Sequence, residues 1–127
     1  MPGSWLGLGA EDPEGETSAE LGAGVGEVPA DVVHQTARTV AFRDINGQAP
    51  THVLVVPREH FANAAALAAG DPAALAELVT AAAAVATAEG HPDDYRLVFN
   101  TGAGVGQSVF HTHVHVLAGR DLTWPPG

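Results

Sequence analysis

Residues 71–90, DPAALAELVTAAAAVATAEG, constrain the fold more than any other stretch of the chain. Asp71 and Pro72 form a cap and first-turn pair, and alanine dominates the run that follows. Gly90 is a stop signal, so the pattern predicts one helix ending near Glu89. Leu75, Leu78, Val79, Val85 and the alanines can form its buried face. β-rich runs lie on both sides. ADVVHQT and RTVAFRD read as two short strands around a polar turn. INGQAP is turn-like, and THVLVVP at 51–57 is a strand that Pro57 ends. REHFANAAALAAG predicts a short helix closed by Gly70. YRLVFN is a further strand, TGAGVGQ a glycine loop, and SVFHTHVHVLAG the last strand. Strands, then helices, then strands predict an α+β domain: an antiparallel sheet packed by one long and one or two short helices.

A length of 127 residues fits one domain. Residues 1–18 are rich in Gly, Pro and Glu without apolar periodicity and read as a tail; from Ala19 to Pro29 any helix would be weak. The net charge is −10, with five arginines and no lysine. Such an acidic chain opposes the long-range attraction that nucleic acids and anionic membranes exert on basic proteins. A small phosphate compound held by local donors remains compatible with it. No basic n-region precedes an apolar core, so no signal peptide is expected, and no apolar run has the length of a membrane span. Cysteine is absent, which removes thiol nucleophiles and zinc–thiolate sites and fits a reducing, cytoplasmic setting.

The chemistry concentrates in residues 107–120, QSVFHTHVHVLAGR, where three of seven histidines stand at 111, 113 and 115. On a strand these alternate positions share one face, about 7 Å apart. Thr112, Val114 and Val116 would face the other way, the valines toward a core. Three readings follow. The histidines are polar residues on a wet face, or they contribute to a metal site completed by His52 or His60. In the third reading one imidazole attacks phosphorus while its neighbours fix its tautomer and bind oxygen. The backbone of GAGVGQS, rich in glycine, could then cradle a phosphate. With no cysteine or lysine present, histidine has no rival of those types as nucleophile.

HTHVHVL fits the pattern His-x-His-x-His with apolar residues between and after. Together with AFRDINGQAPTHVLVVPREH, YRLVFN, GQSVFHTHVHVLAGR and the terminal WPPG, it resembles the histidine-triad family over residues 27–127. The WPPG ending resembles the Hint branch, the nucleoside phosphoramidases, rather than the Fhit or galactose-1-phosphate uridylyltransferase branches. The resemblance implies a single HIT domain over residues 19–127 and a homodimer whose two sheets join into one. It also implies hydrolysis of purine nucleoside 5′-phosphoramidates through a nucleotidyl-histidine, with no metal or other cofactor. The expected partners are therefore a purine nucleotide and a second copy of the chain, not nucleic acid or membrane.

Carried over by motif, His113 is the nucleophile and His115 contacts a phosphate oxygen. His111 and His52 form the supporting imidazole network, with His60 extending it, and Ser108 serves the leaving group. Asn100, Gly106 and Gln107 line the phosphate pocket. Asp44 accepts from the ribose hydroxyls, although it also reads as a turn aspartate before Ile45-Asn46-Gly47. Phe42, Ile45 and Leu54 form a wall of the base pocket or plain core, and Trp124 reaches toward the partner's site. One segment departs from the family. The large apolar residues expected before the Pro29-Ala30 pair are replaced in SAELGAGVG, which puts Ala19, Glu20 and Ala23 at base-covering positions. Each large side chain lost removes on the order of 1.5–3 kcal/mol of burial, so weaker purine affinity or a changed base preference is expected. Trp5-Leu6 folding back over the base would be one compensation. A nucleotide-binding module with little turnover is the alternative function.

Overall fold

The computed structural model describes residues 31–127. The readings made for residues 1–18 and for Ala19, Glu20 and Ala23 lie outside these residues. Five strands and two helices follow one another as β1 (Val32–Gln35), β2 (Thr39–Arg43), β3 (Thr51–Pro57), α1 (Ala64–Gly70), α2 (Pro72–Ala88), β4 (Arg96–Val98) and β5 (Val114–Ala118). All sheet neighbours are antiparallel, in the order β1-β2-β3-β5-β4. This is the α+β architecture expected from the order of runs.

β1 and β2 form a hairpin because Thr36 closes the turn twice: its hydroxyl accepts from Arg38 N at 3.2 Å and from Thr39 N at 3.0 Å. β3 is central and buried along its whole length, as its unbroken Val/Leu content requires. Alternation then sorts the side chains. Ala41, Val53, Val55, Val114 and Val116 join α2 in one core cluster. Val40, Phe42, Leu54 and Val56 join Val109 in a second cluster. By the same alternation His52 and His115 share the second face. The pairing Leu54↔His115 and Val98↔His115 sets His115 in the middle of the sheet.

α2 begins as its cap predicts: Asp71 Oδ1 accepts from Ala74 N at 3.1 Å, with Pro72 in the first turn. Its buried residues Ala74, Leu78, Ala81, Ala82 and Val85 are spaced i, i+4, i+7, i+8, i+11. Alanine lets the helix axis approach the sheet closely, and Leu78 and Val85 supply the volume. Val79 is exposed rather than buried, because it sits about 100° around the helix from Leu78. The Arg43 guanidinium donates to both Glu89 oxygens at 3.0 and 2.8 Å, tying the end of β2 to the end of α2. That pairing holds the Glu89 carboxyl below its usual range.

Two expectations change at the ends of elements. The short helix covers only Ala64–Gly70, since Asn63 caps it by accepting from Ala66 N at 2.9 Å. Residues 58–63 are instead an irregular segment. Gly70 ends α1 where a Cβ would lie 2.5 Å from the Phe61 ring, so the glycine serves packing as much as termination. The last strand starts only at Val114, not near Ser108. His111 and His113 therefore precede the ladder, and something other than the sheet must hold them.

Candidate active site

The segment that carries His111 and His113 is docked on residues 57–62. Thr112 donates to Phe61 O twice, from its backbone N and from its hydroxyl, each at 2.8 Å. Gln107 Nε2 donates to Ala62 O at 2.8 Å and to Val109 O at 3.0 Å, while its Oε1 accepts from Gly102 N at 2.8 Å. His111 is 1% exposed, and its Nε2–H donates to Pro57 O at 2.8 Å. These bonds replace the missing strand ladder. Sequence reading missed Phe61 and the Pro57 carbonyl entirely. It also gave Thr112 to the core face without a role; a threonine wedged between two histidines was the available signal.

Hydrogen-bond logic assigns the proton positions, because a carbonyl can only accept. His113 Nδ1 lies 2.9 Å from His111 O, so Nδ1 bears the proton and Nε2 bears the lone pair. His52 Nδ1 lies 2.9 Å from Gln48 N, which can only donate, so in neutral His52 the proton is on Nε2. That Nε2–H faces His115 Nδ1 at 2.9 Å and Asp44 Oδ2 at 3.3 Å. Neutral His115, accepting at Nδ1, carries its own proton on Nε2. The His113 and His115 rings meet edge to face with centroids 5.1 Å apart. Burial pushes His111 and His115 down to about 4 and also lowers His113 and His52. The charge of Asp44 opposes the shift at His52, but burial wins there.

The geometry therefore brings His113, His111, His115, His52 and Asp44 together. The backbone that carries them matches a known domain: the family model described as "HIT domain" matches residues 25–122. The chain belongs to the HIT-domain family. It is similar to an uncharacterized HIT-like protein of Synechococcus elongatus, 46% identical over 101 residues, which cover 80% of this chain and 89% of the relative. It is also similar to the 14 kDa zinc-binding protein of Zea mays, 44% identical over 103 residues and 80% of each chain. Among solved structures, a HIT family hydrolase from Legionella pneumophila Philadelphia 1 superposes with a TM-score of 0.78 at 44% identity. The match covers 86% of this chain and 96% of that one.

The remaining candidates of this HIT domain are spread more widely. Asp44 uses Oδ1 to accept from Asn46 N at 2.8 Å, so the turn role is real, while Oδ2 turns toward His52. Ser108 is exposed. Asn100 is half-buried, with its amide nitrogen 3.8 Å from where a Cβ on Gly106 would stand; Gly106 itself has φ +107°. The Gln107 side chain is 3% exposed, and its oxygen and nitrogen are both engaged with backbone, so it is committed to holding the loop. The N–H groups of Val105, Gly106 and Gln107 bond to Gly102 O and Ala103 O within the loop, so a cradle built from GAGVGQS would not use these three. Phe42 and Leu54 lie in the second core cluster, whereas Ile45 is exposed. Trp124 is 81% exposed at the chain end.

Asp44, His52 and His115 bring three potential ligand atoms within 4.8 Å of one another. Their hydrogen bonds do not fit a cation. A metal-bound histidine presents a lone pair to the ion and donates its other N–H to an acceptor. His52 has the reverse arrangement, because Gln48 N donates to Nδ1 and leaves the proton on Nε2, the nitrogen facing the cluster. The trio is built as a donor relay.

The lowered histidine pKa values also set a stability profile. Because folding depresses them below 6.5, the unfolded chain binds more protons than the folded one as pH falls. The stability they contribute is fully present above 6.5 and is lost progressively toward about 4. A series of thermal melts is expected to give a Tm that falls steadily between pH 7 and pH 5; a Tm that rises over this range would contradict neutral, buried imidazoles.

Proposed function

We propose that this HIT domain hydrolyses purine nucleoside 5′-phosphoramidates by covalent catalysis at His113, as in the Hint branch. The observation that carries the reading is the His113 tautomer: Nδ1–H is committed to His111 O, which leaves a lone pair on Nε2 of a buried, neutral ring. In the first step the bond from His113 Nε2 to the α-phosphorus forms as the P–N bond to the leaving amine breaks. The amine departs with that electron pair and takes a proton, a delivery for which the exposed hydroxyl of Ser108 is suited. In the second step water attacks the same phosphorus and returns a proton to the Ser108 oxygen, the P–Nε2 bond breaks with its electron pair going back to His113 Nε2, and the nucleoside monophosphate leaves.

The relay from Gln48 N through His52 to His115 serves this reaction by presenting His115 Nε2–H as a donor to phosphoryl oxygen. Asp44 stands beside it with a carboxylate oxygen suited to ribose hydroxyls, and exposed Ile45 offers apolar surface to a base. The resemblance of the WPPG end and the HIT family hydrolase of Legionella support hydrolysis over plain binding. The proposed assembly is a homodimer, for which β4 is suited: it is an edge strand, and Tyr95, Leu97 and Phe99 on and beside it are only partly buried.

The test is hydrolysis of an adenosine phosphoramidate in the presence of EDTA. Turnover is expected to be the same with and without chelator, as the donor relay requires. Loss of activity on chelation, restored by zinc, would move the assignment to the metal reading. Binding of the nucleotide without hydrolysis would favour the binding-module alternative.

A further inference from the structure

The resemblance gave His60 only an extension of the imidazole network, with no atom or partner, and no step of the proposed reaction uses it; its ring is nevertheless held against His111. Its Nδ1 lies 3.0 Å from His111 Nδ1, with ring centroids 5.1 Å apart and planes inclined by 39°. His60 is exposed and His111 is 1% exposed, so the contact joins a solvent-facing ring to a buried one. Two nitrogens facing each other need one proton between them. His111 has already placed its proton on Nε2, facing Pro57 O. Its Nδ1 is therefore an acceptor, and His60 Nδ1 has to be the donor. Both the neutral Nδ1–H form and the imidazolium of His60 can donate from that atom, so the bond survives a change in the charge of His60.

The consequence reaches the nucleophile through the backbone. The ring of His111 is gripped at both nitrogens, and the carbonyl of the same residue accepts the Nδ1–H of His113. No sheet ladder helps, since β5 begins at Val114. Resting on the reaction proposed above, we propose that His60 is a positioning residue: by donating from Nδ1 it holds His111 in the Nε2–H tautomer and so keeps the His111 carbonyl aimed at His113.

Three variants separate this role from simple packing. His60→Asn keeps an N–H donor near the place of Nδ1, His60→Leu removes the donor, and His60→Asp replaces it with an acceptor. The kinetic expectation is a fall in kcat of roughly 10–100-fold for His60→Leu and His60→Asp, with KM changed less than about threefold, since small misplacements of a reacting group are costly. His60→Asn is expected to recover most of kcat. Nitrogen-15 NMR of the resting protein supplies a readout that needs no turnover. In the parent and in His60→Asn, His111 carries its proton on Nε2 and His113 on Nδ1. In His60→Asp the His111 Nδ1 becomes protonated as well, since Pro57 O still requires a proton on Nε2, and in His60→Leu the His113 Nδ1–H signal broadens or is lost. Equal kcat in all three variants, or a parent His111 protonated on Nδ1, would overturn the assignment. If the parent itself fails to hydrolyse phosphoramidates, the proposed reaction falls, and the NMR arm still decides the role of His60.

Discussion

Replacing His113 with alanine is expected to reduce hydrolysis of an adenosine phosphoramidate by roughly ten-thousand-fold or more. Removal of a covalent nucleophile abolishes the two-step route, and only binding and electrostatic stabilisation persist. The expected pattern is loss in kcat with nucleotide binding largely retained. Rapid acid quench of the parent followed by intact-mass measurement should find a nucleotidyl adduct, absent from His113→Ala. Turnover by the variant at the parent rate would falsify the nucleophile assignment. The pH profile adds a check on sign. Burial lowers the His113 pKa from 6.5, so the acid limb of kcat/KM is expected below 6.5.

Gln107→Leu is expected to destabilise the domain by about 3 kcal/mol. The substitution keeps the volume roughly constant and removes three hydrogen bonds, at 2.8, 2.8 and 3.0 Å. Val109 O, in a buried bond, and Ala62 O and Gly102 N, in part-buried ones, lose a partner, and a buried group left without one costs about 1–3 kcal/mol before relaxation. Urea unfolding monitored by tryptophan-independent far-UV signal measures the change. A loss below about 0.5 kcal/mol, combined with a large rise in KM for nucleotide, would restore Gln107 to the phosphate-binding role predicted from its place in the motif. The expected result is the opposite: lower stability, with activity reduced only through looser docking of residues 107–112.

His113 and Gln107 differ in how much of their surroundings was legible in the sequence. Alternation at 111, 113 and 115 marked a candidate segment because three imidazoles in seven residues have few bland explanations. The helix over 72–88 was legible from Asp71, Pro72 and Gly90, since capping is local physics. The strand at 51–57 was legible to the residue, because a β-rich run closed by proline leaves little freedom. The bonds of the Gln107 side chain were not legible, because they go to Gly102, Ala62 and Val109, two of which depend on a loop path and a long-range contact. The internal bonds of the glycine loop were hidden for a related reason: glycines permit an anion cradle, and they also permit a turn that bonds the N–H groups of Val105, Gly106 and Gln107 internally.

The residue pattern alone determined the α+β class, the order of its elements, the apolar stripe of the long helix apart from Val79, and the histidines on which the chemistry is proposed. These follow from periodicity, capping and residue type, which act over a few neighbours. The tertiary structure decided which nitrogen of each imidazole carries the proton. That choice rests on groups far away in sequence, Pro57 O for His111 and Gln48 N for His52 with His115 beyond it, or on the backbone path that brings His111 O to His113. A histidine is equally able to donate or accept at either nitrogen, and only the partners assembled by folding break that symmetry.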